Sequence, residues 1–288
     1  MLKAVTYSPA MGYYLTYLGN KKGDPNKGTV PDENYARELL QLFSIGLLAL
    51  NQDGTTKLDK TGQAIEVYDN QDITGLARVF TELNYDEESA EQEGMFYNSV
   101  FTLPMIAFPN DHSAQPKQFL DLTIAENTNA KESIDIAIEH IFSHPNLAPF
   151  IGKQLIQRLV SSNPSRGYVA NVARAFNSGI YKLPDGSIIG DGKRGALDAT
   201  LAAILFHPEA RNLATVSGGK LKEPILRFTQ WARAFSVKNI TPRFQPMLWD
   251  TSLVSRLNQH PYRSPSVFNF YRPGYKDNWP PIFGHDFK

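Results

Sequence analysis

The chain of 288 residues contains no cysteine. It therefore has no disulfide framework, no thiolate zinc site and no cysteine nucleophile, and its redox compartment stays open because cysteine-free chains suit oxidising and reducing compartments alike. An excess of one charge is also missing, since 29 Lys and Arg balance 29 Asp and Glu, and no run of five basic residues occurs. Balanced charge of this kind argues against nucleic acid or an anionic membrane surface as a partner.

Familiar catalytic patterns are missing too. The sequence has no GxxxxGK phosphate loop and no GxSxG nucleophile elbow, which argues against nucleotide-driven chemistry and an α/β-hydrolase reaction. The first twenty residues contain no continuous apolar block of the kind found in signal peptides. We therefore expect neither an export signal nor a membrane span in the chain as given, and we expect no cofactor and no metal.

What the sequence does contain is helical periodicity. From Asp32 onward apolar residues recur at three and four positions, with Pro31 before the first turn and acidic residues where the helix dipole favours them. Gly179 stands just beyond another such segment, a common position at a helix C-terminus. The patterns predict a short helix that begins at Ser8, a helix from Asp32, a helix that Asp72 opens, and helices over 130–143, 147–161, 167–178, 197–206 and 219–235.

Between the helices the composition changes. Two glycine-centred turns around short alternating runs predict an inserted β-hairpin over about 52–69. Residues 84–130 show little periodicity and predict an irregular loop with one strand at 101–108. A proline- and aromatic-rich tail covers about 240–288. Because no repeat or hinge divides the chain, we expect a mainly α fold: one irregular helical domain over 1–288 with a small hairpin and long loops.

Six motifs occur in a fixed order along the chain: PDENYARELLQLFSIGL, DITGLARVFTEL, FPNDHSAQPKQFL, SHPNLAPFIGKQLIQRLV, LAAILFHPEARN and PSVFNFYRPGY. In this order they resemble the successive motifs of the DUF1800 family of uncharacterised bacterial proteins. The resemblance implies that the chain corresponds to the later part of a longer pattern. It also implies an exported protein, since family members often carry an export signal and are encoded beside a sulfatase-like partner.

The first motif supplies one candidate site. Asn34, Arg37 and Glu38 lie three and four positions apart, so a helix places them on one face, beside the apolar stripe. Such a row is either a solvated or ion-paired structural face or a working site. A helical glutamic acid opposite a second carboxylate is what glycoside hydrolysis requires. We therefore consider Glu38 as a general acid, with Asn34 and Arg37 as substrate-binding residues.

The second carboxylate of such a pair is predicted to be Asp111 or Asp72. Asp111 stands beside His112 in the motif PNDHS, and the pair is a candidate base and orienting group or a pair of metal ligands. His112 is also a candidate substrate contact. The alternative is a plain turn, because Pro, Asn, Asp and Ser are turn formers. Adjacent residues of an extended segment also point to opposite sides.

Histidines and aromatic residues complete the candidates. His140 and His144 have the four-residue spacing of a helical zinc site, but Pro145 disturbs the second histidine, and a capping role at the helix end is the favoured interpretation. His207, also before a proline, is interpreted as a helix end. In the tail, Tyr271 and Trp279 are candidates for stacking on a sugar, or for packing the tail onto the protein.

Two hypotheses follow. The first is a hydrolase acting on glycosidic bonds by paired carboxylates, and it predicts that Glu38 lies in a cleft with a raised pKa. The second is a noncatalytic helical module that binds an exported partner protein or a surface polymer. It predicts that the Glu38 carboxylate is paired with an arginine, which lowers its pKa.

Overall fold

The computed structural model describes residues 1–92, 100–212, 220, 222–238, 250–260, 263–265 and 269–271. In this part of the chain the fold is mainly α, as the periodicity predicts. Helices in chain order are α1 (Leu2–Thr6), α2 (Pro9–Tyr14), α3 (Asn34–Gln41), α4 (Asn70–Ala77), α5 (Glu87–Gln92), α6 (Ala130–Ser143), α7 (Leu147–Leu159), α8 (Arg166–Ser178), α9 (Leu197–Leu205), α10 (Pro208–Arg211) and α11 (Pro224–Ala234). Short 3₁₀ turns occupy Pro25–Lys27 and Arg78–Phe80.

Strands are short and form antiparallel pairs. Leu83 pairs with Ala107, Lys117 with Ile124 and Tyr181 with Ile189. The strands are β1 (Leu83–Asn84), β2 (Ile106–Ala107), β3 (Lys117–Phe119), β4 (Leu122–Ile124), β5 (Tyr181–Lys182) and β6 (Ile188–Ile189).

The predicted hairpin is present, and its two arms are joined by separate antiparallel β-bridges. Leu48 pairs with Glu66, and Leu58 pairs with Ala64, in antiparallel register. Its outer turns carry Gly54 and Gly62 at φ +75° and +84°, a conformation that glycine adopts without strain. Most of its side chains are exposed, which agrees with a β excursion between helices.

The described residues of the region 84–130 contain more secondary structure than the sequence predicts. It contains α5 and the strands β2, β3 and β4. The strand expected over 101–108 is reduced to the two residues of β2. Its partner β1 lies more than twenty residues earlier in the chain, and a local pattern does not reveal such a pairing.

The core has two clusters of buried side chains. The larger includes a ring stack between Tyr17 and Tyr35, whose centroids are 4.1 Å apart, with Phe80 edge-on to Tyr35 at 4.7 Å. The smaller cluster lies among α7, α8 and α9 around Ile156 and Tyr168, whose hydroxyl group donates to the carbonyl of the last but one residue of α9 at 2.6 Å. Both clusters are apolar, so they hold the frame on which polar residues are placed.

Helix ends follow capping chemistry. Asn129 precedes α6, and its Oδ1 accepts the backbone N–H of Glu132 at 2.9 Å. Gly179 follows α8 at φ +69° in the left-handed region, as predicted. Helix α3 is shorter than its apolar pattern, because Ile45 and Gly46 both donate to Leu40 O and turn the chain away after Leu42.

Candidate functional site

The most unusual polar cluster in the described residues surrounds Glu82, just before β1. The φ of Glu82 is +88°, a region that residues other than glycine rarely occupy. Two backbone hydrogen bonds hold it there: its N–H donates to Asn20 O at 2.7 Å, and its carbonyl accepts from Phe108 N at 3.1 Å. Strained backbone that the surroundings hold in place is typical of functional positions.

The Glu82 side chain is only 4% exposed, and its Oε2 has no hydrogen-bond partner. His112 Nδ1 lies 3.4 Å from this oxygen. Burial raises the pKa of Glu82, the negative charge of Asp111 raises it further, and the Lys117 ammonium group opposes the shift. The environment therefore favours a protonated carboxyl group, which can donate a proton.

His112 is held by Thr81. Its Nδ1 lies 3.0 Å from Thr81 Oγ1 and 3.2 Å from Thr81 O. Because Thr81 Oγ1 donates its own hydrogen to Arg78 O, this hydroxyl accepts from the imidazole, so the hydrogen-bond network assigns the Nδ1–H tautomer to neutral His112. Burial, followed by the charge of Lys117, lowers the pKa of His112, so the neutral ring is favoured.

A lysine and a serine complete the cluster. Lys117 has no exposed surface, and its Nζ donates to Thr128 O at 3.4 Å. Burial lowers its pKa. Ser133 Oγ lies 3.5 Å from His112 Nε2, so Glu82, His112 and Ser133 follow one another in space as in a catalytic triad. Ser133 is fully buried, however, and its Oγ donates to Thr128 O at 3.3 Å. Ser133 is therefore not accessible from solvent.

A cavity of about 400 Å³ gives access to this cluster. Its lining includes Glu82, His112 and the first two residues of α6, together with small or polar residues. The full lining is Glu82, Ala107, Pro109, His112, Ala114, Asn127, Thr128, Asn129, Ala130 and Lys131.

The predicted PNDHS motif contributes His112 to the cavity wall, whereas Asp111 does not line the cavity and acts on Glu82 through its charge. The motif forms a turn in which Asp111 N donates to Phe108 O at 3.0 Å, as the turn interpretation predicts. Asp111 is half-exposed, whereas His112 is buried, so the two side chains do point apart. Asp111 Oδ1 lies 3.9 Å from Lys21 Nζ.

Glu38 lies elsewhere, on α3. Its Oε2 is buried without a hydrogen-bond partner, and burial raises its pKa against the opposing charge of Arg37. Arg37 pairs instead with Glu33, with Nη2 to Oε2 at 3.3 Å. Glu38 is therefore not held by a guanidinium group in the described residues, but it does not line the cavity beside Glu82. Asn34 donates through Nδ2 to Thr16 Oγ1 at 3.4 Å.

Asp72 has a structural role. Its Oδ2 accepts from Asp69 N at 2.9 Å in the capping box of α4, and its Oδ1 accepts from Leu120 N at 2.7 Å. It also lines a separate cavity of about 430 Å³ with Arg78 and Gln118. Because both oxygens already accept backbone hydrogen bonds, Asp72 is poorly suited to attack a substrate.

The histidines of the predicted zinc spacing are used otherwise. His140 Nε2 lies 2.6 Å from Leu120 O. His144 ends α6 in extended backbone, and its Nδ1 accepts from Asn146 N at 3.1 Å; His207 repeats this arrangement with Glu209 N at 3.2 Å. Both therefore cap helix ends, as expected. Throughout the described part of the chain, no three His, Asp or Glu side chains lie close enough together to hold a metal ion.

The remaining aromatic candidates give less. Tyr271 is half-buried, and Trp279 lies outside the described residues.

Glycines 190, 192 and 195 have the GxGxxG spacing of dinucleotide-binding turns and follow β6. However, β6 pairs antiparallel with β5 in a two-stranded sheet, which is not the parallel βαβ unit that such binding requires.

The sequence analysis did not identify Glu82, Lys117 or the first turn of α6 as parts of a site, although it did predict the helix α6 itself. Glu82 reads as the end of a helix in DITGLARVFTEL, and Lys117 reads as a loop lysine. One signal was available: Glu82 stands between the apolar residues Phe80 and Leu83, and a carboxyl group inside a buried run is costly without a function or partner.

These features define a mainly helical protein with a strained, buried carboxyl group beside a polar cavity. The family model DUF1800, described as a protein of unknown function, matches residues 1–281, and the chain belongs to this family. The match extends beyond Tyr275, the last residue of the motifs in the sequence. Comparisons with curated proteins and with solved structures found no match. No helix in the described ranges has both the length and the apolarity needed to cross a bilayer.

Proposed function

We propose that the protein is a hydrolase that cleaves glycosidic bonds of a carbohydrate, with Glu82 as the general acid and Asp111 as the general base. The observation that carries the proposal is the state of Glu82: 4% exposed, without a hydrogen-bond partner at Oε2, and facing a cavity. Asp111 is half-exposed and raises the pKa of Glu82. Two carboxyl groups in such different settings are the pattern that acid and base roles require.

The reaction balances with these two groups and one water molecule. Glu82 gives its proton to the leaving-group oxygen as the glycosidic C–O bond breaks. Asp111 accepts a proton from water as the new C–O bond forms at the sugar carbon. Solvent then carries the proton from Asp111 back to Glu82. His112 Nδ1 lies 3.4 Å from Oε2, so the ring packs beside the Glu82 carboxyl group while its N–H donates to Thr81.

The proposal moves the acid from Glu38 to Glu82 and keeps Asp111 and His112 from the sequence. Neither Glu38 nor Asp111 lines this cavity. Asp111 is kept because its charge raises the pKa of Glu82, whereas the raised pKa of Glu38 has no connection with this cluster. Asp72 is occupied by two backbone N–H groups. Glu38→Gln is therefore a matched control for Glu82→Gln: each removes one buried carboxyl group with an unpartnered Oε2.

The test is a screen of purified protein against nitrophenyl glycosides, alkyl glycosides and esters, with and without EDTA. Alkyl leaving groups need protonation more than nitrophenolate does, so Glu82→Gln should lose roughly 10²- to 10⁴-fold in kcat/KM on alkyl glycosides and less on nitrophenyl glycosides. Asp111→Asn should lose activity on both. Glu38→Gln should keep it.

Loss of activity in Glu38→Gln, with Glu82→Gln unaffected, would contradict the assignment and return the acid to α3. Activity that EDTA abolishes would point instead to metal chemistry. Circular dichroism and melting temperature of each variant show whether a loss reflects the reaction or unfolding.

A noncatalytic binding role remains the second candidate, and α11 favours it. None of its described side chains is buried, and Leu226, Trp231 and Phe235 are 47%, 52% and 72% exposed. Exposed aromatic side chains of this kind often mark contact surfaces. Folded protein that hydrolyses no substrate of the screen, but binds a partner protein or polymer through α11, would support this role over the hydrolase.

A further inference from the structure

The first turn of α6 forms part of the cavity beside Glu82. Helix α6 has 14 residues, and Ala130 and Lys131 are its first two. The Asn129 side chain accepts the N–H of Glu132, and Ser133 N donates to Asn129 O. Among the described residues, the backbone N–H groups of Ala130 and Lys131 have no acceptor.

Two free N–H groups at the start of a long helix favour an anion, because the helix dipole adds partial positive charge there. Every helix has such groups, so this alone does not define a site. The second observation is Glu82, which lines the same cavity with a buried Oε2 that has no partner. In its protonated form, the carboxyl group of Glu82 is a hydrogen-bond donor.

The surrounding charges favour an anion over a cation. Lys131 lines the cavity with a basic side chain. Lys117 lies behind the wall, where its Nζ reaches Thr128 O, and His112 forms part of the wall itself. A cation bound at Glu82 would be repelled by the two lysines, whereas an oxyanion would be attracted to them.

We infer that the cavity binds the singly charged oxyanion of an acidic sugar, a carboxylate or a sulfate, at the backbone N–H groups of Ala130 and Lys131. The inference rests on the proposed function, and it names the class of sugar on which that function acts. A bound anion near Glu82 makes ionisation of Glu82 more costly, which keeps the general acid protonated before the reaction.

The test is NMR titration of ¹⁵N-labelled protein with three probes: methyl glucuronide, methyl glucoside 6-sulfate and methyl glucoside. We expect a saturable shift of the Ala130 and Lys131 amide signals with one or both charged sugars. The neutral sugar should bind about two- to fivefold more weakly, the typical effect of a charge at a helix N-terminus. The two charged probes distinguish a carboxylate from a sulfate.

Lys131→Gln should weaken binding of the charged sugar about two- to fivefold. The matched control is Lys3→Gln: both lysines form ion pairs with Asp135, but Lys3 does not line the cavity. Ala130→Pro removes one N–H donor at a helix position where proline is well tolerated, and it should also weaken binding. If Ala130→Pro does not fold, the lysine pair still provides the test.

The inference is overturned if neither charged sugar shifts these two amides, if the neutral sugar binds as tightly, or if Lys3→Gln weakens binding as much as Lys131→Gln. Binding is measured without turnover, so the two proposals fail separately. Charged sugars that bind at the amides but are never hydrolysed support the anion site and reject the hydrolase. Hydrolysis of neutral glycosides without preference for charged ones does the reverse.

Discussion

At the scale of single residues, Glu82 is a carboxyl group that the fold keeps out of water at a cost. Its backbone lies at φ +88°, and its side chain is 4% exposed. Burial and Asp111 together raise its pKa, and Lys117 compensates only in part. The strained backbone and the buried carboxyl group are the two features on which the proposed general-acid role of Glu82 rests.

The raised pKa of Glu82 makes the stability of the folded protein depend on pH. Because the pKa of Glu82 is higher in the folded protein than in the unfolded chain, the folded state holds the proton more strongly. The stabilising contribution of Glu82 to the free energy of unfolding is therefore fully present below its unfolded pKa of about 4.3. It is lost as pH rises through the pKa of the folded protein. Glu82→Gln should unfold at higher urea concentration than the wild type at pH 7, with a smaller difference at pH 4.

Urea denaturation of both proteins at the two pH values measures this. An equal difference at pH 4 and pH 7 would show that Glu82 is not the titrating group. The Glu38 carboxyl group also has a raised pKa, so Glu38→Gln gives a comparison from a different helix.

At the scale of elements, local patterns predicted the helices well and the strands poorly. The expected ranges 130–143 and 167–178 agree closely with α6 and α8, because capping residues and apolar periodicity are local. The pairing of β1 with β2 joins residues far apart in the sequence, so no local pattern predicts it. Glu82 stands at the start of that pairing, which explains why the candidate site escaped sequence reasoning.

One close contact between elements is testable by substitution. Helix α4 packs against β3 through Gly75, where an added Cβ would collide with the carbonyl oxygen of Gln118. Because backbone must move to relieve this collision, Gly75→Ala should lower the free energy of unfolding by about 2 kcal/mol or more, a typical cost of overpacking.

Gly167→Ala in α8 is the control, since the nearest atom to its added Cβ, Ser165 Oγ, is 3.8 Å away. This substitution should be neutral or stabilise by up to about 1 kcal/mol, through higher helix propensity. Urea denaturation compares the two. Equal effects would mean that α4 and β3 are not in close contact.

At the scale of the whole molecule, Asn146 joins distant parts of the chain. Its Nδ2 donates to Ile45 O and Leu48 O, both at 2.8 Å, and its Oδ1 accepts from Leu50 N at 2.7 Å. The residue is 3% exposed, so these three backbone groups depend on it. The sequence shows Asn146 only as a helix-start residue, because its partners lie about one hundred positions earlier.

Asn146→Ala should lower the free energy of unfolding by about 2 to 4 kcal/mol, because it leaves buried backbone groups without partners. Asn146→Asp keeps the shape, but it replaces two donated hydrogen bonds with repulsion between oxygens and should be at least as harmful. Asn51→Ala, on the exposed hairpin, is the control and should cost less than about 1 kcal/mol. A loss in Asn146→Ala no larger than in Asn51→Ala would contradict the role of Asn146.

Family membership and the mainly α fold were predictable because ordered motifs and helical periodicity survive in one sequence. The location of the acid was not predictable, because it depends on tertiary contacts among β1, the PNDHS turn and α6. Of the predicted site residues, Asp111 and His112 belong to this cluster, whereas Glu38 and Asp72 lie apart from it. The turn-forming residues of PNDHS make the motif visible in the sequence. The burial of His112 beside Glu82 is visible only in the structure.

The most direct test of the account is an NMR titration of the Glu82 carboxyl carbon in ¹³C-labelled protein, assigned by its loss in Glu82→Gln. We predict that the pKa of Glu82 lies above its usual value and falls in Asp111→Asn, because the neighbouring negative charge is removed. A pKa at or below the usual value, unchanged by Asp111→Asn, would contradict the assignment of Glu82 as a buried acid.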